Sequence, residues 1–249
     1  MGAAPMFRLD GRVAVVSGAG RGIGRGAALA LAAVGAEVVA LSRTAAELEA
    51  LAEEIRADGG VARPLVCDVT DTEKMRAELG ALERIDVLVN NAGTNIPEPF
   101  LEVTDAHLDR MVELNVKAAF RVAQAAVGRM GRGGSVIHVS SQMGRVGAPD
   151  RTVYCMTKHA LEGLSKAMAV ELAPLGIRSN TIGPTFIETP LARTFLDDPA
   201  FQAYVLANIP LGRIGDVTEV AGAIVFLASD AASLITGASL AIDGGWTAR

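Results

Sequence analysis

The sequence predicts an α/β fold: one domain, residues 1–249, built on a doubly wound seven-stranded parallel sheet with helices on both faces. Three observations predict it. Short β-rich runs alternate with longer helical patterns along the whole chain, the rhythm of βαβ units. The runs are apolar on both faces, as strands sandwiched between two helix layers must be. Half of the residues are apolar yet only 4% are aromatic, and that mix, rich in Ala, Val, Leu and Gly, suits helices packed closely on a parallel sheet.

VAVVSG (13–18) reads as the first strand, followed by a helix from about Gly22. EVVALS (37–42) is the second, with a helix through ELEALAEEIRADG. VARPLVCDV (61–69) is the third, with a helix through EKMRAELGAL. DVLVNNAG (86–93) is the fourth, and one long helical region covers about 104–130. GGSVIHVSS (133–141) is the fifth strand, followed by a helix over 152–173. GIRSNTIGPT (176–185) is the sixth and ASLAIDGG (238–245) the seventh. The stretch 186–215, rich in Pro and Thr, reads as irregular and sits where a mobile lid over a ligand would lie. Folds of this kind bind ligands beyond the C-terminal strand ends, where the strand order reverses.

Composition narrows the function classes. The net charge is −5, from 23 basic and 28 acidic residues, and no basic run marks a nucleic-acid footprint. Cys67 and Cys155 make neither a disulfide framework nor a metal spacing, so reduced cytoplasmic thiols and no metal are expected. The first dozen residues lack the apolar core of a signal peptide. They begin Met-Gly, but Met6 stands where an acylation signal needs Ser or Thr. No run approaches the roughly 20 apolar residues of a membrane span. His107, His138 and His159 do not cluster, and His138, inside the fifth strand, reads as structural.

Two motifs carry chemistry. SGAGRGIG (17–24) joins the first strand to the first helix and places Gly18, Gly20, Gly22 and Gly24 where backbone can approach a pyrophosphate at a helix N-terminus. In VYCMTKHALEGLSKAMAVELA (153–173), Tyr154 and Lys158 fall at i and i+4 on one helix face. Alone, that pair reads first as a half-buried Tyr beside a solvated Lys. As a functional pair it solves a problem: a free phenol has a pKa of about 10, and a neighbouring ammonium favours its ionised form.

The chain resembles the short-chain dehydrogenase/reductase family. SGAGRGIG, CDV (67–69), NNAG (90–93), Asn115 in LNV, Ser141, Tyr154-x-x-x-Lys158, the Pro184 segment and DGG (243–245) occur in the family's order over nearly the full length. The resemblance implies a Rossmann-like fold and an NAD(P)-dependent enzyme acting on CH–OH groups. Tyr154 would exchange the proton with the substrate oxygen. Lys158 would hold the nicotinamide ribose, and Ser141 would hydrogen-bond the carbonyl. Asn115 would position a water behind Lys158, although a helix-interior Asn bonded to backbone fits the sequence equally. Cofactor contacts are expected from Gly18, Arg21, Gly22, Ile23 and Gly24 at the phosphates. Asp68 and Val69 would flank the adenine, with Asn90, Asn91, Ala92 and Gly93 along the cofactor. Pro184, Ile187 and Thr189, with Tyr154 and Lys158, would surround the nicotinamide end.

NADP(H) is the expected cofactor and NAD(H) the second choice. NAD-binding folds of this type carry an acid at the end of strand two, but here Ser42 and Arg43 stand there, and Arg21 lies in the glycine loop. Two guanidinium groups and a hydroxyl suit a 2′-phosphate. Thr185 replaces the family's usual Gly after Pro184 and places a side chain beside the nicotinamide. Gln142, Met143 and Thr185 are the expected substrate pocket. With Thr94, Asn95 and the DGGW ending, they lean towards small polar substrates, as in gluconate and polyol dehydrogenases. A 3-oxoacyl carrier-protein reductase, docking through Arg129 and Arg132, is the alternative. A non-catalytic dinucleotide sensor is the remote one. In the family the helices at 104–130 and 152–173 pack on partner helices, which implies a homotetramer.

Overall fold

The seven runs form one all-parallel sheet: β1 (Val13–Ser17), β2 (Glu37–Ser42), β3 (Val61–Val66), β4 (Ile85–Asn90), β5 (Met130–Val139), β6 (Arg178–Pro184) and β7 (Ser239–Ile242). Their order is β3-β2-β1-β4-β5-β6-β7. The coordinates are a computed structural model, and they describe residues 4–248. The Met-Gly start weighed above as an acylation signal lies outside those residues. The helices are α1 (Gly22–Ala33), α2 (Ala45–Ala57), α3 (Thr72–Gly80), α4 (Asp105–Val112), α5 (Ala119–Val127), α6 (Thr152–Leu172), α7 (Pro190–Leu196), α8 (Pro199–Asn208) and α9 (Val217–Ala228).

Period-2 alternation sorts the strand side chains into two cores. On β1, Ala14 and Val16 join a cluster with Ala28 and Leu31 of α1, Leu48 of α2 and Ile224 of α9. Val15, between them, joins the other cluster with Met75 of α3 and Val122 of α5. All of these side chains are buried, so the continuous apolar runs of the sequence are accounted for by helices on both faces. The chain leaves β1 toward β2 and β3 on one side and resumes at β4 on the other. The crevice therefore opens between the C-terminal ends of β1 and β4.

Four boundaries depart from the sequence reading, each for a local reason. The third strand ends at Val66 rather than at 69. The Asp68 carboxylate accepts from the Thr70 N–H at 2.9 Å and from its hydroxyl at 2.7 Å, and this turn ends the pairing after the Cys67 N–H, which still bonds the Ser42 carbonyl at 2.9 Å. The long helix of 104–130 is interrupted by a π segment, Glu113–Ala118, and Met130 already belongs to β5. The supposedly irregular 186–215 holds α7 and α8. Pro190 and Pro199 stand in their first turns, where no N–H is needed, and Thr189 and Asp198 cap them. These helices have a core of their own, in which Phe186 meets Phe201 edge-on at 5.5 Å and Trp246 at 6.0 Å. Finally, α9 had no place in the sequence reading. Its signal was present: Asp216 and Glu219 form a reciprocal capping box ahead of an apolar run.

Candidate active site

At the end of β1 the Ser17 hydroxyl accepts from the Asn91 and Ala92 N–H groups at 2.9 and 3.1 Å. In return the Asn91 amide donates to the Ser17 carbonyl at 3.0 Å, so both walls of the crevice are tied together. Gly18 has φ +67°, and a Cβ there would lie 2.8 Å from the Asn91 amide nitrogen. Gly24 is needed for another reason: its Cβ would fall 2.2 Å from the Gly18 carbonyl oxygen, so it lets α1 tuck beneath the loop. No side chain caps α1, which leaves its first-turn N–H groups facing the crevice mouth, suited to a phosphate anion.

Beyond this loop lie Ser42, Arg43, Asp68 and Val69. The Arg43 guanidinium is 3.7 Å from the Asp68 carboxylate. Burial opposes the charge on Asp68, but the Thr70 N–H and hydroxyl together with Arg43 outweigh it, and the carboxyl stays below its ordinary pKa. Glu47 of α2 also borders the crevice here, with Arg21 on the loop opposite.

At the other end α6 presents Tyr154 and Lys158. The ammonium lies 5.5 Å from the centre of the Tyr154 ring and donates to the Val139 carbonyl at 2.8 Å. Ser141 accepts from the Met143 N–H at 3.1 Å and its hydroxyl is hydrogen-bonded to the Tyr154 phenol. The Ser140 hydroxyl is turned to the Lys158 carbonyl, 3.4 Å away, as strand alternation requires. The electrostatics differ from the expectation that Lys158 lowers the phenol pKa. Burial pushes Tyr154 up to about 12, opposed by the Ser141 hydrogen bond and by the charge of Arg151, while Lys158 is not among the charges that move it. Burial also pushes Lys158 down to about 8. Beneath them His138, fully enclosed, is pushed down to about 4 by burial and then by Lys158, so it stays neutral, in keeping with a structural role.

One cleft of about 730 Å³ unites these groups. Every expected catalytic, cofactor and pocket residue lines it except Gly24, which packs behind the loop, Asn90 and Asn115. The Asn115 side chain accepts from the Thr94 N–H and donates to the Thr94 carbonyl, both at 2.8 Å, and reaches Thr157 at 3.2 Å. The π segment that carries it thus pins the connection after β4. Asn90, expected along the cofactor, is buried instead and donates to the Ala119 carbonyl at 2.7 Å. The sequence reading missed Arg110 and Glu113, and it missed Phe186, Leu191 and Phe195, which border the cleft from the 186–215 segment. No spacing marks these, since they reach the cleft only through tertiary packing.

A half-buried phenol at one end of a crevice and an uncapped helix start behind a glycine loop at the other suit a dinucleotide-dependent oxidoreductase. Residues 18–247 match a family model described as Enoyl-(Acyl carrier protein) reductase. A D-erythrulose reductase of Gallus gallus is 42% identical over 97% of this chain and 98% of its own. An L-xylulose reductase of Bos taurus is 44% identical over 97% of this chain and 99% of its own. The crystal structure of a gluconate 5-dehydrogenase from Burkholderia cenocepacia, in complex with NADP and tartrate, superposes with a TM-score of 0.93 at 36% identity, covering 98% of both chains. The chain belongs to the short-chain dehydrogenase/reductase family.

Proposed function

We propose that this chain is an NADP(H)-dependent oxidoreductase that interconverts a secondary alcohol and a ketone on a small polyhydroxylated substrate, a keto-sugar or polyol first and a sugar acid second. The observation that carries the substrate class is a set of buried polar atoms without partners, Asn95 Oδ1, Gln142 Oε1 and Thr185 Oγ1. All three residues line the cleft that also holds Ser141 and Tyr154. Buried polar atoms are normally hydrogen-bonded, and hydroxyl groups of a substrate would complete these. The keto-sugar reductases among the relatives support the same choice over a thioester reductase.

The cofactor fits what the chain offers. The uncapped α1 N-terminus suits its pyrophosphate, and Arg21, Ser42 and Arg43 suit a 2′-phosphate. When bound, NADPH supplies the hydride. Ser141, hydrogen-bonded to the phenol, would also donate a hydrogen bond to the ketone oxygen and so orient it. Tyr154 gives its phenolic proton to the alkoxide. Lys158, anchored on the Val139 carbonyl, holds the ribose hydroxyls. The segment 186–215 acts as a cover, with Leu191 and Phe195 of α7 keeping water from the reacting carbon. Initial rates of NADPH oxidation with keto-sugars, keto-acids and acetoacetyl thioesters test the substrate class. Turnover is expected with keto-sugars, and fast turnover of the thioester alone would overturn the reading.

We also infer a cytoplasmic homotetramer. Both thiols are free, as suits a reducing compartment. No helix among the described residues is long and apolar enough to cross a membrane. α6 exposes a seam of Met156, Ala160, Gly163, Ala167 and Val170, with Met156 50% and Val170 79% accessible. Small residues let a second helix approach closely. Sedimentation of the fractionated lysate is expected to show a soluble multiple of the 25.7 kDa chain. A single 25.7 kDa species would remove the assembly, and recovery in the membrane pellet the compartment.

A further inference from the structure

Thr44-Ala45-Ala46-Glu47 at the start of α2 has the spacing of a capping box, in which the acid at the third helical position reaches back to the N–H of the cap residue. The box is not formed. The Thr44 side chain makes no cap bond, and the Thr44 N–H goes to the Ser42 hydroxyl at 3.4 Å. On α9 the same spacing does close, with the Glu219 carboxylate accepting from the Asp216 N–H at 2.8 Å. Glu47 is turned the other way, onto the glycine loop. A Cβ on Gly20 would lie 2.3 Å from its Oε2 and 3.0 Å from its own Cβ. Gly20 is not in the left-handed region, so what excludes a side chain there is Glu47 seated on it. Among the described residues the Glu47 carboxylate enters no hydrogen bond and no ion pair. It borders the cleft together with Gly20, Arg21, Ser42 and Arg43.

We propose that Glu47 is a specificity-determining residue of the cofactor end, a retractable acid that lets one cleft take a dinucleotide with or without the 2′-phosphate. Seated on Gly20, the carboxylate is an acceptor without a donor, and a hydroxyl of the adenosine ribose is the donor it suits. A 2′-phosphate held by Arg21, Ser42 and Arg43 brings like charge to the same end of the cleft and disfavours the carboxylate there. The carboxylate then returns to the Thr44 N–H, which Ser42 holds only at 3.4 Å, and closes the capping box. Glu47 thus favours NAD(H) and opposes NADP(H). It keeps the preference below what Arg21 and Arg43 alone would set. The inference rests on the reading of this cleft as a dinucleotide site with its phosphate end at Arg21, Ser42 and Arg43.

The surroundings leave this role to Glu47. Asp68, the other carboxylate at this end, is already held by the Thr70 N–H at 2.9 Å and the Thr70 hydroxyl at 2.7 Å, and it faces Arg43 at 3.7 Å. Of the other acids on α2, Glu54 is paired with Arg25 of α1, and Glu49 and Glu53 are exposed and do not border the cleft. The end of β2 supplies Ser42, not an acid, so no carboxylate stands at the position that usually accepts from a free 2′-hydroxyl. The frame around Glu47 is fixed. Gly20 is buried, and the Ala19 N–H ties the loop to the Leu41 carbonyl of β2 at 3.2 Å. The loop and the start of α2 therefore keep their spacing, and the side chain of Glu47 is the part that moves.

NAD⁺ and NADP⁺ differ only in the 2′-phosphate, and titration calorimetry reads their binding to the whole chain without substrate or turnover. Glu47→Ala is expected to weaken NAD⁺ about tenfold, the lower end of what a hydrogen bond to a charged group is worth. NADP⁺ should bind at its parental strength or more tightly, so the ratio of the two dissociation constants moves about tenfold or more towards NADP⁺. A Glu47 that only starts α2 would shift both constants together. A ratio unmoved in Glu47→Ala, or moved towards NAD⁺, therefore overturns the proposal. Glu47→Gln, which removes the charge and keeps the size, takes its place should that variant not fold, and is read in the same way. A parent chain that does not bind NADP⁺ would instead overturn the cofactor reading, and this proposal with it, so the two failures are distinguishable.

Discussion

Tyr154→Phe is expected to lose about 10²–10⁴-fold in kcat, the usual worth of a positioned proton donor, while cofactor affinity stays at its parental value. The phenylalanine keeps the ring beside Lys158 and removes only the hydroxyl, so the cleft keeps its shape. The pH dependence of the parent enzyme should carry the same signature. The Tyr154 phenol is pushed up to about 12 by burial. Below that value the proton is in place, and reduction of the ketone should be flat through the neutral range. Oxidation needs the ionised phenol, whose fraction grows with each unit of pH on the acid side of the pKa, so kcat/KM for the alcohol should climb towards alkaline pH. Rates in both directions across pH, with cofactor binding followed by nucleotide fluorescence, check this. Comparable turnover in Tyr154→Phe would remove the phenol from the chemistry.

Ser42→Asp combined with Arg43→Leu should move cofactor preference from NADPH towards NADH. A hydrogen bond to a charged group is worth about 1.5–3 kcal/mol. Losing the one from Arg43 to the 2′-phosphate costs NADPH about ten- to a hundredfold in kcat/KM, and a new carboxylate at 42 repels the phosphate while accepting from a free 2′-hydroxyl. Two carboxylates, Glu47 and Asp68, already border this end of the cleft, so Arg21 and Arg43 are what balance it in favour of a phosphate. Asp68 also loses its Arg43 partner at 3.7 Å in the variant, and its carboxyl should move back up towards the ordinary value. Kinetics with the two cofactors in parallel decide the matter. NADPH still preferred by the double variant would mean that Arg43 does not read the phosphate.

Much of the molecule was legible before any coordinates. The seven parallel strands, the glycine turn and the Tyr154–Lys158 pair followed from periods of two and 3.6 and from residues a few positions apart. The errors fell where a local pattern misleads. Pro and Thr in 186–215 suggested an irregular loop, yet Pro190 and Pro199 start helices that bury Phe186 and Phe201. The apolar run after Asp216 was passed over despite its capping box. Asn115 was open between two roles, and its grip on both backbone groups of Thr94 became visible only once a segment 21 positions away was placed beside it.

The sequence by itself determined the sheet type, the place of the crevice and the residues that face one another across one helical turn, because each depends on chain geometry within a few residues. Tertiary structure decided the rest. It buried the Tyr154 phenol and so reversed the sign of its pKa shift, turned Lys158 onto the Val139 carbonyl, and enclosed Arg151 beneath Phe195 from a segment more than forty residues further along the chain. Burial and the charge around a group are properties of everything folded against it, and no window of sequence contains them.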